Sequence, residues 1–262
     1  MRFLLFLMSF LIFSCGADEF EPNNPIDPDN PDYIPPVVSI VSGVIIDQVI
    51  NSETLAINYS GNESSMLFRS KLDSNAWSGW LSSTTVTLNY LDEGEHEFFL
   101  QGKYTTGDTS EVLWVPFTVD AVQGPALIFF PRLHTTNAGQ TIKFKIVAEE
   151  VYSLAGAEFQ IVYDPAQVII QNINVGSIFS GSSNPIFIYE NKPSEGKLVI
   201  TTATWGQDQN SFTGTATIAE IDLEVLTIGE FDISFSGSEI FRNNQNEVIL
   251  INEINNGNIK SN

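Results

Sequence analysis

The sequence predicts an all-β protein made of two β-sandwiches in series, and three observations carry that reading. Hydrophobic residues make up 43% of the 262 positions, enough for real cores, yet long Ala/Leu/Glu/Lys helical patterns are absent. Short β-rich runs recur throughout, separated by Gly, Asn, Asp and Ser. In "GAEFQIVYDP", residues 156–165, Ala157, Phe159, Ile161 and Tyr163 point one way in an extended chain, and Gly156, Glu158, Gln160 and Val162 point the other. The first set belongs in a core. The second set needs a different explanation.

Charge narrows the partners. The chain carries 11 basic and 32 acidic residues, a formal net charge of −21. Phosphate backbones repel such a chain, so nucleic acid is excluded as a partner.

The first fifteen residues, "MRFLLFLMSFLIFSC", place Arg2 before an apolar run from Phe3 to Phe13. That run is too short to span a bilayer and has the form of a signal-peptide core. With Ser14 directly before Cys15, it resembles a bacterial lipoprotein signal, in which the cysteine is acylated and becomes the mature N-terminus. The resemblance implies an exported, membrane-anchored protein at the outer membrane or cell surface. Cys15 is the only cysteine, so no disulfide is expected.

Residues 16–36, "GADEFEPNNPIDPDNPDYIPP", hold six acidic residues and six prolines. They read as an extended, stiff linker reaching roughly 65 Å at about 3.1 Å per residue. Asp27, Asp29 and Asp32 mimic calcium-loop spacing, but Pro28 and Pro31 and the lack of a turn glycine argue against one. "ADEFE" behind the cysteine resembles the surface-export signal of lipoproteins in the Bacteroidetes group.

Residues 37–120 form a first unit. "VVSIV", "TLAINY", "MLFRSKL", "TTVTLNYL", "HEFFLQGKY" and "LWVPFTV" suggest an antiparallel sandwich of immunoglobulin type. His96, Phe98 and Leu100 alternate inward after a turn at Gly94. "FRSKLDSNAWSGW" and "YLDEGEHEFFLQGKYTTGDTSE" resemble bacterial fibronectin-III-like and triple-tyrosine sandwich domains, with His96 where a tyrosine is usual. Trp77 and Trp80 are candidates for stacking on sugar rings, or for covering the sandwich edge.

"DAVQGPA", residues 120–126, reads as a short hinge, and residues 126–262 as a second unit of about nine strands. "TIKFKIVA" turns Ile142, Phe144 and Ile146 inward and Lys143 and Lys145 outward. "AEIDLEV" buries Ala219, Ile221, Leu223 and Val225, and "EFDISFS" buries Phe231, Ile233 and Phe235. Each sheet thus has one wet face. His134 reads as part of a strand-connecting loop, and "RNNQNEV" at 242–248 as a polar hairpin tip.

In order, "NAGQTIKFKI", "LAGAEFQIVYDPAQVII", "VGSIF", "EGKLVITTA", "GTATIAEIDLEV", "GEFDISFSGSEIF" and "NNGNIK" make residues 126–262 resemble a cohesin domain. In the Tyr-Asp-Pro turn, Asp164 can cap with its carboxylate while Pro165 presets the backbone. The resemblance implies a nine-stranded jelly roll that docks dockerins, small calcium-loaded modules of other proteins, on one flat sheet face. It puts Gly156, Glu158, Gln160 and Val162 on that face, with Val199 and Thr201 on the adjacent strand. Cohesins of the best-known class often carry Asn and Asp at the places of Gly156 and Glu158; Glu158 keeps the charge and Gly156 loses the amide.

Only His96 and His134 are present, and no zinc-protease motif, nucleophile elbow or phosphate loop occurs. The chain is therefore read as a non-enzyme, with no catalytic residue, no metal site and no cofactor; calcium would belong to the dockerin partner. A second reading is direct polysaccharide binding through Trp77, Trp80, Tyr189 and Trp205. A third is a surface stalk with no specific ligand.

Overall fold

The computed structural model describes residues 24–205 and 211–262. The only helical element among them is a 3₁₀ turn at Pro193–Glu195; the rest is strand and turn. No helix among the described residues is long and apolar enough to cross a membrane. Cys15 and its signal lie outside the described residues.

The first unit packs a three-stranded sheet against a four-stranded one. Its strands are β1 (Val38–Ser42), β2 (Gln48–Ile50), β3 (Leu55–Gly61), β4 (Leu67–Leu72), β5 (Thr85–Leu88), β6 (Gly94–Lys103) and β7 (Leu113–Val119). The orders are β1-β3-β5 and β2-β7-β6-β4. Strand β2, which no alternation in the sequence announces, pairs in parallel with β7. His96, Phe98 and Leu100 are buried as their alternation predicts.

Two expectations about the connecting segments need correction. Residues 24–36 are not an extended stalk. Asn24, Asp27 and Asn30 each accept the backbone N–H two residues on with their side-chain oxygens, and each carbonyl accepts the N–H three residues on. These Asx turns coil the chain and let Ile26 and Tyr33 pack on the first core. Tyr33 meets the Tyr104 ring edge-on at 6.5 Å, and the Tyr104 hydroxyl donates to the Ile34 carbonyl.

Nor is 120–126 a free hinge. The Glu93 carboxylate accepts the Ala121 and Val122 N–H groups, Glu150 accepts that of Gly124, and Asn252 donates to the Gly124 carbonyl. Arg132 adds a clasp: its N–H donates to Asp92 at 2.6 Å and its guanidinium pairs with Glu53.

The second unit comprises β8 (Ala126–Phe130), β9 (Leu133–Thr136), β10 (Thr141–Val162), β11 (Val168–Val175), β12 (Pro185–Lys192), β13 (Lys197–Thr204), β14 (Phe212–Val225), β15 (Gly229–Phe235), β16 (Ile240–Asn243), β17 (Val248–Ile249), β18 (Glu253–Asn255) and β19 (Gly257–Ser261). The nine strands expected appear as twelve segments. Short pieces flank Pro131 and the polar hairpin tip at 243–247, while β10 runs through both layers. Its first half pairs with β14 and β8, its second half with β13 and β16. The bend between them carries positive φ at Glu150 and Ser153 and shifts of register, as bulges that redirect a strand do.

One core of the second unit lies between the layers. Ile142, Phe144, Ile146, Ala157, Phe159, Ile161, Ala219, Ile221, Leu223, Val225 and Ile233 are all buried there. Phe231, expected to be buried, is only partly so, packed against the edge of this core. His134 is not in a loop: it stands in β9, bonded through Nε2 to the Lys143 carbonyl at 2.8 Å and edge-on to Phe144.

Candidate functional site

The alternation in "GAEFQIVYDP" fixes which side of β10 is free. Because side chains alternate strictly, a one-residue slip would turn Phe159 and Ile161 to water. Two local devices hold the register. Asp164 caps its turn through Oδ1, 2.9 Å from the Ala166 N–H, and its carbonyl accepts the Gln167 and Val168 N–H groups. Across from it, the β12–β13 hairpin turns at Gly196, φ +65°. A Cβ there would stand 2.1 Å from the Tyr163 carbonyl oxygen, so only glycine lets the hairpin lie against the Tyr163–Pro165 turn.

With the register fixed, four strands present one outer face in the order β12-β13-β10-β16. Ile188 pairs with Thr201, Thr201 with Glu158, and Glu158 with Ile240. This row spans about 14 Å at the usual 4.8 Å between strands. The row above it runs Ile186, Ala203, Gly156 and Arg242, and the row below runs Glu190, Val199 and Gln160. The six residues expected on this face, Gly156, Glu158, Gln160, Val162, Val199 and Thr201, thus share it.

The chemistry of the face is mixed. Ile188 is 62% exposed and Ile240 45%, a placement that water disfavours and a partner's apolar surface would relieve. Between them the Thr201 hydroxyl donates to Glu158 Oε2 at 3.0 Å, leaving the other carboxylate oxygen for an incoming donor. No cation pairs with Glu158 among the described residues. Gly156 leaves a shallow trough: a Cβ there would find Ala203 Cβ and the Thr202 carbonyl at 3.5 Å, ordinary contact distance. Packing therefore does not demand glycine at this position. Arg242, beside the trough, donates to the Asn246 carbonyl at 2.8 Å.

Ile188, Ile240 and Arg242 were not singled out from the sequence. The alternation of Ile186, Ile188 and Glu190 in "PIFIYENK" carried a signal for the first. Nothing local tells that β16 lies beside β10.

The proposed sugar-stacking residues do not form one platform. Trp77 and Trp80 lie in the first unit, each with the Arg69 guanidinium 4.7 Å from its ring centroid. Tyr189 and Trp205 are 50% and 72% exposed, but Tyr189 pairs with Ile200 while Trp205 lies beyond the Thr204–Pro185 pair, about 17 Å along the strand. Among the described residues no group of three or more His, Cys, Asp or Glu side chains could hold a metal ion.

The outer face of β12, β13, the second half of β10 and β16 is flat and open. The cohesin domain family profile matches residues 131–260, and this part of the chain is a cohesin domain, a family of non-catalytic protein-binding modules. No curated protein matches the chain.

Similar solved structures include the sixth cohesin of scaffoldin B from Acetivibrio cellulolyticus in complex with a dockerin, at 19% identity, TM-score 0.46, covering 53% of this chain and 100% of that one. A type II cohesin from the same organism gives 18%, 0.46, 51% and 94%. A non-cellulosomal cohesin from the archaeon Archaeoglobus fulgidus gives 14%, 0.44, 52% and 90%.

Proposed function

We propose that the outer face of β12, β13, the second half of β10 and β16 docks a dockerin-type module of another protein, non-covalently. Acylated Cys15 would hold the chain to a membrane at the cell surface, with the first unit as spacer. The observation that carries the reading is the row Ile188–Thr201–Glu158–Ile240: two exposed aliphatic side chains bracket a carboxylate that has no cationic partner among the described residues. Burying the two isoleucines supplies the apolar contribution. Glu158 supplies the directional one, since hydrogen bonds to charged groups contribute about 1.5–3 kcal/mol each. Calcium in this arrangement belongs to the partner.

The test is capture of dockerin modules by the immobilised chain, with and without calcium. Retention of at least one module in calcium, lost on chelation and weakened by Glu158→Lys, is the expected outcome. Equal retention by Glu158→Lys, or no retention of any module, contradicts it.

A further inference from the structure

A second surface lies on the first unit and is independent of the docking reading. On the outer side of the four-stranded sheet, Lys71 pairs across to Phe99 and Phe99 to Trp114, Arg69 pairs with Gln101, and Leu67 with Lys103. The Arg69 guanidinium lies 4.7 Å from both the Trp77 and Trp80 ring centroids. Lys103 Nζ is 4.6 Å from that of Trp80, and Lys71 Nζ is 4.2 Å from that of Phe99 and 5.8 Å from that of Trp77. Three cations and three aromatic rings are therefore interleaved.

All three cations are held by neutral groups. Arg69 Nε and Nη2 both donate to Gln101 Oε1, at 3.0 and 2.7 Å, and buried Gln101 is itself fixed by the Ser110 carbonyl. Lys71 donates to the Asp73 carbonyl at 3.2 Å. None of the three has a carboxylate within ion-pairing distance among the described residues, whereas Arg132, Lys143, Lys192, Lys197 and Lys260 each do. Lys145 and Arg242 also lack such a pair, but only here do three unpaired cations share one face, with Glu97 turned to Trp114 at its far side; in a chain of net charge −21 that cluster suits an anion from outside.

We propose that this face binds a carboxylated polysaccharide. Arg69 and Lys71, alternate residues of β4, stand about 6–7 Å apart along the strand, and Lys103 lies one strand over, opposite Leu67; the spread suits carboxylates that recur along a chain rather than one compact anion. The flat sheet continues to Trp114, 49% exposed, with its indole N–H donated to Glu97; its ring offers a stacking surface for a pyranose beside the Lys71 charge. The densely charged phosphates of nucleic acid meet the repulsion of the remaining acidic surface. A lipid headgroup layer is best met by long free lysines, and here the ammonium groups lie down on rings.

The experiment titrates the full chain with polygalacturonate, neutral galactan, polyglutamate and phosphatidylglycerol vesicles. Polygalacturonate should bind, weaken with added salt, and lose about tenfold or more in affinity in the Lys71→Glu/Lys103→Glu double variant, whose side chains are not in the core. Trp114→Ala should weaken it too, and an Ile188→Glu/Ile240→Glu variant should leave it unchanged. No binding of polygalacturonate, equal binding of galactan, polyglutamate or vesicles, or full binding by the lysine variant overturns the proposal.

Discussion

The two outer faces of the cohesin domain differ in how far their polar groups are satisfied from within. On the layer of β11, β14 and the first half of β10, the charges answer each other. Lys143 bonds Glu220 at 2.8 Å and stands 3.7 Å from Asp222, Gln171 donates to Glu224, Asn172 to Asp222, and Thr215 to Glu149. The Lys143 ammonium holds the Glu220 carboxyl below its ordinary range. On the opposite layer Glu158, between Ile188 and Ile240, has Thr201 alone among the described residues. Exposed aliphatics occur on both layers, Ile169 at 44% beside Glu224 among them; what separates the faces is the carboxylate without a cation, set between two of them. The same sandwich thus satisfies its polar groups from within on one side more fully than on the other.

The comparison breaks first if the scaffold under the Glu158 face is removed. Phe159, 1% exposed and directly behind the Glu158 row, should cost about 3–5 kcal/mol of stability on Phe159→Ala, read by denaturant unfolding, and docking should fall only through unfolding.

A pH effect comes next, and it lies outside the docking face. His96 gives Nδ1 to the Asp73 carboxylate at 2.8 Å and Nε2 to the Asp92 carbonyl at 2.9 Å. Both partners are acceptors, an arrangement that favours the doubly protonated imidazolium. Burial alone would lower its pKa, but the Asp73 and Asp92 contacts outweigh that and the net shift is upward. A raised folded pKa contributes stability that is fully present below the ordinary value of about 6.5 and is lost as pH rises through the folded value. The thermal midpoint should therefore fall as pH rises from about 6.5 through the raised folded value, and His96→Gln should flatten that fall. The paired Asp73, whose carboxyl is lowered overall, acts in the acid range instead.

Gly156→Asn sharpens the comparison. With a Cβ at ordinary contact distance, stability should change by no more than about 0.5 kcal/mol, while the filled trough should change which dockerin modules are retained. Lys143→Met, on the self-satisfied face, should have the smallest effect: no change in docking and little in stability, because the pair is exposed to solvent screening.

Much of this was legible in the sequence where alternation is strong. "AEFQIVYDP", "TIKFKIVA" and "AEIDLEV" declare their buried sides, because period-two patterns survive any tertiary context. What was not legible depends on long-range pairing. Ile240 joins Glu158 only because β16 lies against β10, and "QVI" becomes a strand only because β7 offers an edge. The proline-rich segment looked extended by composition. Three Asx turns and the two apolar anchors Ile26 and Tyr33 fold it back, and composition does not register such spacing. "DAVQGPA" looked like a hinge for the same reason, since the carboxylates that fasten it, Glu93 and Glu150, come from other strands.

The most direct test is a calorimetric titration of the full chain with calcium-loaded dockerin modules, run beside the Ile188→Glu/Ile240→Glu variant. The account predicts saturable binding of at least one module to the native chain and a loss of about tenfold or more in the variant, with its unfolding midpoint unchanged. Equal affinity of the two proteins, or no heat with any module, would contradict it.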